Sequence, residues 1–285
     1  MTLQIDDGIM TQGRRNKGLP VPALSNRSLI SVITVVYNDE KHIENTILSV
    51  LKQTHDHVEY IIVDGGSSDE TINIIKKYGK KIDYWVSEPD DGIYSAMNKG
   101  VAVAKGDWII FINSGDIFYN DSALSCVVNQ ISDTSDVVYG QCLVAYASGV
   151  QFKKLPRDIE DMWKGTVSSH QSILIRSNLM KKYYFDCTFS LAADHELLSK
   201  LFHSGCRFQY LQEIIAVVSA SGVSDTKRFD VYNEFSRVSK QYFAQKPFRC
   251  YFFIRQLDCF LRIFVKKFMP TSIIERIRTI RTLPE

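Results

Sequence analysis

The chain has 285 residues, 45% of them hydrophobic and 23% charged, an ordinary globular composition with enough apolar residues for one large core or two modest ones. Its formal net charge of +2 provides no overall field to attract nucleic acid, and no stretch reaches the roughly 20 apolar residues that a membrane-spanning helix needs. No signal-peptide pattern opens the sequence and no C-x-x-C pair occurs among its six cysteines, so we expect reduced thiols in a cytosolic protein.

Residues 1–27 are polar and show no hydrophobic period, which predicts a loose N-terminal tail. From residue 28 onward, β-branched apolar runs alternate with segments whose apolar residues recur at helical spacing. The predicted strands are 29–36, 60–63, 82–86 and 108–112, and the predicted helices are 40–53, 69–78 and 93–104. Strands that alternate with helices predict βαβ units and an α/β fold with a mainly parallel sheet.

Beyond the fourth strand, the pattern predicts a hairpin, a further strand and two helices. The hairpin would pair 136–147 with 150–155, the strand would be 171–175, and the helices would be 192–202 and 228–243. The chain contains no internal repeat and no low-complexity tract.

Polar turns follow each of the first four predicted strands. Ligands of parallel sheets bind at the carboxyl ends of strands, so we expect these turns to line one crevice. The carboxylate of Asp64 could accept a hydrogen bond from a nucleotide base, and Gly65 and Gly66 would let a flat base approach the backbone. Asp116, just past a buried strand, suits a hard cation that bridges two phosphates. The alternative is that all of these are ordinary turn residues.

Four segments carry a resemblance to a known family. They read S-V-I-T-V-V-Y-N, I-I-V-D-G-G-S-S-D-E-T, S-E-P-D-D-G-I-Y-S-A-M-N-K-G and F-I-N-S-G-D. The chain resembles family-2 glycosyltransferases of the GT-A fold, especially bacterial enzymes that build O-antigen and colanic-acid-like polysaccharides. The resemblance is strong over 29–118 and thinner to about residue 225, which implies a GT-A catalytic domain over 28–225 with a Rossmann-like sheet flanked by helices.

The resemblance also implies a nucleotide-sugar donor site. Its residues would be Thr34, Tyr37, Asn38, Asp64, Gly65, Asp91 and Asn98. Asp116 resembles the last acid of the family's metal-binding motif, which implies Mg²⁺ or Mn²⁺ as cofactor. The chain has Asn113 and Gly115 where many relatives carry acids, so we expect weaker metal binding.

Asp194 lies in the first turn of a predicted helix, where the helix dipole favours a negative charge. The resemblance implies that it is the general base of an inverting transfer, whereas the residues alone allow a simple helix cap. Glu196 is an alternative base. His170 and Gln171 match a turn of these transferases and could contact the acceptor or the diphosphate, although a structural role for His170 fits equally well.

The last part of the chain, 226–285, predicts basic amphipathic helices. From Lys246 to Glu285 there are nine basic and three acidic residues, which gives this segment +6 and the rest −4. Between Ile254 and Phe268, the apolar residues Ile254, Leu257, Leu261, Phe264 and Phe268 fall on one helical side. Such a helix could lie on an anionic membrane surface, or its apolar stripe could pack on the catalytic domain.

Together these observations predict an inverting, metal-assisted hexosyltransferase of surface polysaccharide (O-antigen or lipopolysaccharide) synthesis. The donor would be a nucleotide-sugar, most simply a UDP-sugar, and the resemblance implies a polyprenyl-diphosphate-linked glycan acceptor. We expect a cytoplasmic protein, peripheral on the inner face of the plasma membrane. The alternative is a non-catalytic nucleotide-sugar sensor or assembly scaffold at the membrane. A Rossmann oxidoreductase is disfavoured because no G-x-G-x-x-G motif follows a strand.

Overall fold

The computed structural model describes residues 4–6, 9–13, 28–146, 149–220 and 227–268. For the two N-terminal strands and for 262–268 it describes the backbone only. Its strands are β1 (Gln4–Asp6), β2 (Ile9–Gln12), β3 (Ile30–Val36), β4 (Val58–Asp64), β5 (Tyr84–Ser87), β6 (Trp108–Phe111), β7 (Ile117–Phe118), β8 (Val137–Ala145), β9 (Gln151–Lys154), β10 (Ile173–Arg176) and β11 (Phe208–Ser219).

The α-helices flank these strands in chain order. They are α1 (Ile43–Leu51), α2 (Thr71–Tyr78), α3 (Ile93–Val103), α4 (Ala123–Val128), α5 (Ser177–Tyr183), α6 (Ala193–His203), α7 (Arg228–Tyr242) and α8 (Phe248–Phe268), with 3₁₀ turns at Ile159–Lys164 and His170–Ser172. None of the helices in the described part of the chain is long and apolar enough to cross a bilayer.

The strands form one mixed sheet in the order β1-β2-β5-β4-β3-β6-β10-β8-β11-β7, with β9 paired to β8. The central strands β5, β4, β3 and β6 are parallel, and β10 runs antiparallel between β6 and β8. The predicted α/β fold is therefore confirmed, with the parallel part at its centre. The predicted hairpin is confirmed as β8 and β9.

The sheet is buried on both faces, as expected for parallel strands whose crossover helices cover them. Along β3, Ile33 and Val35 face one hydrophobic cluster, whereas Val32 and Val36 face the other. Side chains of a strand alternate between the two faces, and a continuous β-branched run therefore fills both layers of core. This arrangement leaves the carboxyl ends of the parallel strands as the open edge.

The prediction of a loose N-terminal tail is wrong for residues 4–6 and 9–12, which form strands. β1 pairs with β2, and β2 adds antiparallel to the edge strand β5 with Met10 opposite Ser87. An edge strand presents unpaired backbone groups, and a short segment can satisfy them without a hydrophobic period of its own. Gly13 then passes so close that a Cβ there would lie 2.4 Å from the carbonyl oxygen of Asp83. Residues 14–27 lie outside the described part of the chain.

The predicted helical extension is present as α7 and α8, while 269–285 lie outside the described residues. One side of α8 packs on the domain, where Phe248, Phe252 and Cys259 are buried. Ile254, Leu257 and Leu261 of the predicted apolar stripe are exposed, so this stripe does not pack on the domain. Its two further members, Phe264 and Phe268, lie where side chains are not described.

Candidate functional site

The turns after β3 and β4 are joined to each other at the open edge of the sheet. The backbone N–H of Asn38 donates to Ser67 Oγ at 2.8 Å, and the N–H of Ser68 donates to Asn38 Oδ1 at 2.8 Å. Asn38 adopts φ +48°, a left-handed conformation that asparagine tolerates. Tyr37 beside it is 65% exposed, so its ring is available to a ligand.

Asp64 shapes the turn that follows β4. Its buried carboxylate accepts from Gly66 N (3.1 Å), Ser67 N (2.9 Å), Ser67 Oγ (2.5 Å) and Ser87 Oγ (2.6 Å). These donors already satisfy both oxygens within the protein. In this conformation, Asp64 holds the turn in place, and its contact with a nucleotide base remains a prediction.

Gly65 lies where two other side chains meet. A Cβ at this position would be 2.7 Å from Asp90 Oδ2 and 3.4 Å from the ring of Tyr37. Asp90 also accepts from the N–H of Gly92 at 3.0 Å. The predicted donor residue Asp91 is exposed, whereas its neighbour Asp90 approaches Gly65. We missed Asp90 because the two acids are adjacent in the sequence, and only the turn geometry separates them.

Two predicted donor residues have internal roles. Thr34 is buried between strands, where its hydroxyl donates to the carbonyl of Ile112 at 2.7 Å and lies 3.1 Å from Tyr60 Oη. Asn98 holds Phe185 at both backbone groups, since Nδ2 donates to its carbonyl and Oδ1 accepts from its N–H, each at 2.9 Å. These bonds support the site from behind, and donor contact by either residue remains a prediction.

Asp116 follows β6 and is largely buried. Oδ2 accepts from Gln171 Nε2 at 2.6 Å, and Oδ1 accepts from the backbone N–H of Ser219 at 3.1 Å. Burial raises the pKa of Asp116, while the two hydrogen bonds act in the opposite direction. The predicted site residues Asp116 and Gln171 are therefore in direct contact.

The described residues contain no cluster of three or more His, Cys, Asp or Glu side chains that could hold a metal ion by themselves. Mg²⁺ in nucleotide sites usually binds through one or two carboxylates together with substrate phosphates. Asp116 offers one such carboxylate, and Asp39, whose charge also raises the pKa of Asp116, lies nearby with Oδ2 accepting from Ser114 Oγ at 2.6 Å. These carboxylates do not form a closed metal cage. They fit a cation that arrives together with a diphosphate.

Asp194 is the second residue of α6 and is held from three sides. Oδ1 accepts from Tyr94 Oη at 3.3 Å and from the N–H of His195 at 2.8 Å. Oδ2 lies 3.8 Å from His170 Nδ1, and the side chain of Asp194 is 17% exposed. Tyr94 lies within the third of the family-like segments, and the sequence alone indicates no role for it. Burial and the charge of Asp194 raise the pKa of Tyr94, which therefore remains a hydrogen-bond donor.

His170 connects the base candidate to the turn that carries Asn113 and Asp116. Asn113 Nδ2 donates to His170 Nε2 at 2.9 Å, which places the ring proton on Nδ1, the nitrogen that faces Asp194. Burial alone would raise the pKa of Asp194, but its interactions with His170 and the N–H of His195 lower it below the usual value. Asp194 is therefore ionised at neutral pH, as a general base must be.

Glu196, the alternative base, is turned away from the site. It is 1% exposed, forms an ion pair with Lys200 at 2.9 Å and accepts from Tyr242 Oη at 2.5 Å. Residues two positions apart on a helix point in different directions, and Asp194 and Glu196 accordingly face different partners. This arrangement favours Asp194 as the base.

The neighbouring His195 is fully buried, with neither ring nitrogen hydrogen-bonded within the described structure. Burial lowers the pKa of His195 to about 4, so the ring is neutral, and it packs edge-on against Phe235 of α7.

The C-terminal extension supports the segment that leads into α6. Glu234 of α7 accepts from the N–H and Oγ of Ser190 at 3.0 and 2.9 Å and from the N–H of Leu191 at 2.8 Å. Together with the bond between Tyr242 and Glu196, these contacts fix the start of the helix that carries Asp194. No sequence pattern pointed to Glu234, because its partners, two backbone N–H groups and one hydroxyl, lie more than 40 residues earlier in the chain.

Comparisons with known proteins agree with this architecture. The profile of the family described as "Glycosyl transferase family 2" matches residues 31–202. An uncharacterized glycosyltransferase of Mycobacterium tuberculosis is 31% identical over 182 residues, which cover 61% of this chain and 69% of the relative. A PGL/p-HBAD biosynthesis glycosyltransferase of Mycobacterium bovis is 31% identical over 121 residues, 41% of this chain and 47% of that protein.

Two solved structures share the fold. S. aureus TarS (residues 1–349), in complex with UDP-GlcNAc, superposes with a TM-score of 0.59 at 21% identity, over 74% of this chain and 66% of that chain. The mannosyltransferase PcManGT of Pyrobaculum calidifontis, in complex with GDP-Man and Mn²⁺, gives 0.61 at 17% identity, over 80% and 68%. These likenesses confirm the predicted GT-A fold. Since the family profile covers more than half of the chain, the protein belongs to glycosyltransferase family 2.

Proposed function

We propose that the protein transfers a hexose, with inversion, from a nucleotide-sugar to a hydroxyl group of a lipid-linked glycan. The observation that carries this proposal is the continuous set of contacts from Asp116 through Gln171 and His170 to Asp194. These contacts link two carboxylates. Asp116 is suited to the diphosphate end of a donor, and the ionised Asp194 is suited to act as a base.

In this reaction, Asp194 takes the proton of the acceptor hydroxyl as its oxygen forms a bond to the anomeric carbon. The bond from that carbon to the diphosphate oxygen breaks, and the nucleoside diphosphate leaves with the electron pair. Attack from the side opposite the leaving group inverts the anomeric configuration. A divalent cation bound at Asp116 would neutralise the charge that develops on the departing diphosphate.

The nucleotide is placed at the turns after β3, β4 and β5. The exposed ring of Tyr37 offers a stacking surface, and Gly65 lets the backbone approach this ring and Asp90, both of which a side chain there would crowd. Asp90, whose Oδ1 accepts from the N–H of Gly92 and whose Oδ2 lies beside Gly65, is a further candidate for contact with a base or ribose group. The complexes of TarS with UDP-GlcNAc and of PcManGT with GDP-Man support a nucleotide-sugar donor in general terms. We propose a UDP-sugar.

The test is a screen of radiolabelled UDP- and GDP-sugars against a synthetic farnesyl-diphosphate-linked N-acetylglucosamine acceptor. Transfer of label to the lipid supports the proposal. A protein that binds UDP but neither transfers label nor slowly hydrolyses any nucleotide-sugar would be a sensor or scaffold, and the proposal would be wrong.

Replacing His170 with alanine should move the acid limb of the pH dependence of kcat/KM to higher pH. His170 lowers the pKa of Asp194, while burial raises it, so removing the ring leaves burial as the main influence. A base with a higher pKa is protonated, and inactive, at a higher pH. The matched control is His203→Ala at the other end of α6, which should leave the limb in place. If the acid limb of the His170 variant does not move, His170 does not lower the pKa of the catalytic base.

We also propose that α8 lies on an anionic membrane surface. Its outer side exposes Phe253, Ile254, Leu257, Phe260 and Leu261. Its inner side already provides the packing on the domain through Phe248 and Phe252, so the exposed residues are not needed for that contact. Arg255 turns inward to Tyr232 Oη at 2.8 Å, whereas Arg249 remains exposed. Residues 246–285 carry a formal charge of +6, and a helix with an apolar outer side in such a basic segment suits binding in the interfacial plane.

The variant Ile254→Glu/Leu257→Glu should lose binding to phosphatidylglycerol-containing vesicles. Each exposed aliphatic side chain that enters the membrane contributes about 1.5–3 kcal/mol, which is at least tenfold in partitioning per residue. Sedimentation with vesicles measures the change. Phe229→Glu, an equally exposed apolar position on α7, is the control. Retained sedimentation of the double variant would assign α8 no membrane role.

A further inference from the structure

The turn after β5 is bound to helix α3, which follows it in the chain. At the end of the turn, Asp90 Oδ1 accepts from the N–H of Gly92 at 3.0 Å, and α3 begins at the next residue. At the start of the turn, Glu88 forms an ion pair with Lys99 of α3 at 2.8 Å, and Lys99 Nζ donates to the carbonyl of Pro89 at 2.8 Å. The turn that the proposed function assigns to the nucleotide-sugar is therefore attached to α3 at both of its ends.

Two other residues of α3 hold the segment that leads to the base. Tyr94 and Asn98 are four positions apart and therefore lie on one face of the helix. Asn98 binds both backbone groups of Phe185, and the ring of Phe185 packs against the ring of Tyr94, with centroids 5.2 Å apart. Phe185 also contacts the ring of Phe111 on β6 at 5.4 Å. The ring of Tyr94 is thus supported by a residue that α3 and β6 both hold.

The hydroxyl of Tyr94 makes the two oxygens of Asp194 unequal. Oδ1 accepts from Tyr94 Oη at 3.3 Å and from the N–H of His195 at 2.8 Å, so two donors of the protein occupy it. Oδ2 faces His170 Nδ1 at 3.8 Å, a distance longer than a direct hydrogen bond. A carboxylate that is held through one oxygen presents the other in a fixed direction. Oδ2 is therefore the oxygen left for the proton of an acceptor hydroxyl.

The titratable groups that face this pair come from three other places in the fold. Burial raises the pKa of Asp194, while interactions with His170 of the 3₁₀ turn and with His195 of α6 lower it below its usual value. Burial and the negative charges of Asp194 and of Glu234 on α7 raise the pKa of Tyr94, so its hydroxyl stays protonated. A hydrogen bond to the charged form of a carboxylate lowers its pKa, and loss of that bond raises it.

We propose that Tyr94 is a positioning residue of the transfer, whose hydroxyl orients the carboxylate of Asp194 so that Oδ2 takes the acceptor proton. The inference rests on the proposed transferase function and adds the residue that orients its base. Tyr94 follows Gly92 by two residues on a helix that is bound to the donor turn, so α3 sets the position of the base relative to the donor. The proton goes to Asp194, and Tyr94 keeps its own throughout.

The experiment uses Tyr94→Phe, which keeps the ring against Phe185 and removes only the hydroxyl. With the farnesyl-diphosphate-linked N-acetylglucosamine acceptor, kcat should fall about tenfold while both KM values change little. The acid limb of the pH dependence of kcat/KM should move to higher pH, because Oδ1 loses a donor. The dissociation constant of UDP, from calorimetry, should stay the same. Tyr78→Phe is the matched control, because its hydroxyl also donates to a carboxylate, that of Glu44 on α1.

The ¹³C carboxyl resonance of Asp194 reports the same interaction without turnover. Its signal is assigned by its loss in Asp194→Asn. The titration midpoint of this resonance should be higher in Tyr94→Phe than in the wild type, and it should be unchanged in Tyr78→Phe.

The outcomes separate this inference from the proposed function. A shifted acid limb at unchanged UDP affinity and an unchanged unfolding midpoint supports the positioning role. If Tyr94→Phe keeps the wild-type kcat and acid limb, Tyr94 does not orient the base, and the transferase proposal stands. If kcat falls together with the unfolding midpoint while the acid limb and the ¹³C midpoint stay in place, the hydroxyl is only structural, which also overturns the inference. A wild-type protein that transfers to no acceptor overturns both.

Discussion

Replacing Asp194 with asparagine should lower the rate of glycosyl transfer by about a hundredfold to ten-thousandfold, the usual contribution of a general base. The amide keeps the shape of the carboxylate, and its oxygen can still accept from Tyr94 Oη and from the N–H of His195. The start of α6 should therefore remain in place. What is lost is the negative oxygen facing His170, which is the group that takes the acceptor proton.

Two measurements make this result specific. The dissociation constant of UDP should be unchanged, because the nucleotide turns after β3 and β4 do not involve Asp194. Glu196→Gln is the comparison on the same helix: it should weaken the contacts to Lys200 and Tyr242 and lower the unfolding midpoint, yet leave most of the activity. Near-normal turnover of Asp194→Asn, or loss of turnover only in Glu196→Gln, would place the base elsewhere.

The central part of the fold was accessible from the sequence. β3, β4 and β6 are predominantly apolar and β-branched because parallel strands are buried on both faces, and that pattern has few other causes. α3 was predicted over 93–104 and is observed over Ile93–Val103. These elements need little information from the rest of the chain, since local propensity and burial agree.

Other elements depend on partners that are remote in sequence. β11, the longest strand, was not predicted, because Gln209, Gln212 and Glu213 interrupt its apolar residues, and its pairing with β8 stabilises it. β2 forms because the edge of β5 is open to it. In α8, apolar residues occur on both sides, so a helical period alone cannot tell that Phe252 packs inward and Leu257 faces out.

In the candidate site too, the position of the residues was predictable from the sequence, whereas their hydrogen-bond partners were not. Parallel topology brings the ends of the first four predicted strands to one edge, which is why their turns, including Asp64 and Asp116, were predicted to line one crevice. Gln171, His170 and the base role of Asp194 were implied by the family resemblance, and the structure links these residues to Asp116. The partner of each side chain did not follow from topology. Asn98 is committed to the backbone of Phe185, and the carboxylate of Asp64 to its own turn. Polar residues at turns can bind either a ligand or the backbone, and only the three-dimensional arrangement distinguishes the two.

The second large effect is expected for Asp116→Asn, which removes the charge of this side chain and keeps its volume. UDP binding in the presence of Mn²⁺ should weaken about tenfold to a hundredfold, the cost of losing one interaction with a charged group. In EDTA, where no cation links the carboxylate to the diphosphate, wild type and variant should bind UDP equally. Calorimetry under both conditions gives the two dissociation constants without reference to turnover.

The comparison between the two conditions is what identifies the role of Asp116. If the carboxylate were merely structural, the amide would lose one of the two bonds to Gln171 and Ser219 in either buffer, so UDP binding would weaken with or without the cation. Asp121→Asn, an exposed acid a few residues further along, should leave both constants unchanged. Gln171→Leu frees one oxygen of Asp116 without removing its charge and should strengthen the response to Mn²⁺. If the Asp116 variant responds to Mn²⁺ as the wild type does, the cation is held elsewhere and the carboxylate only supports the turn.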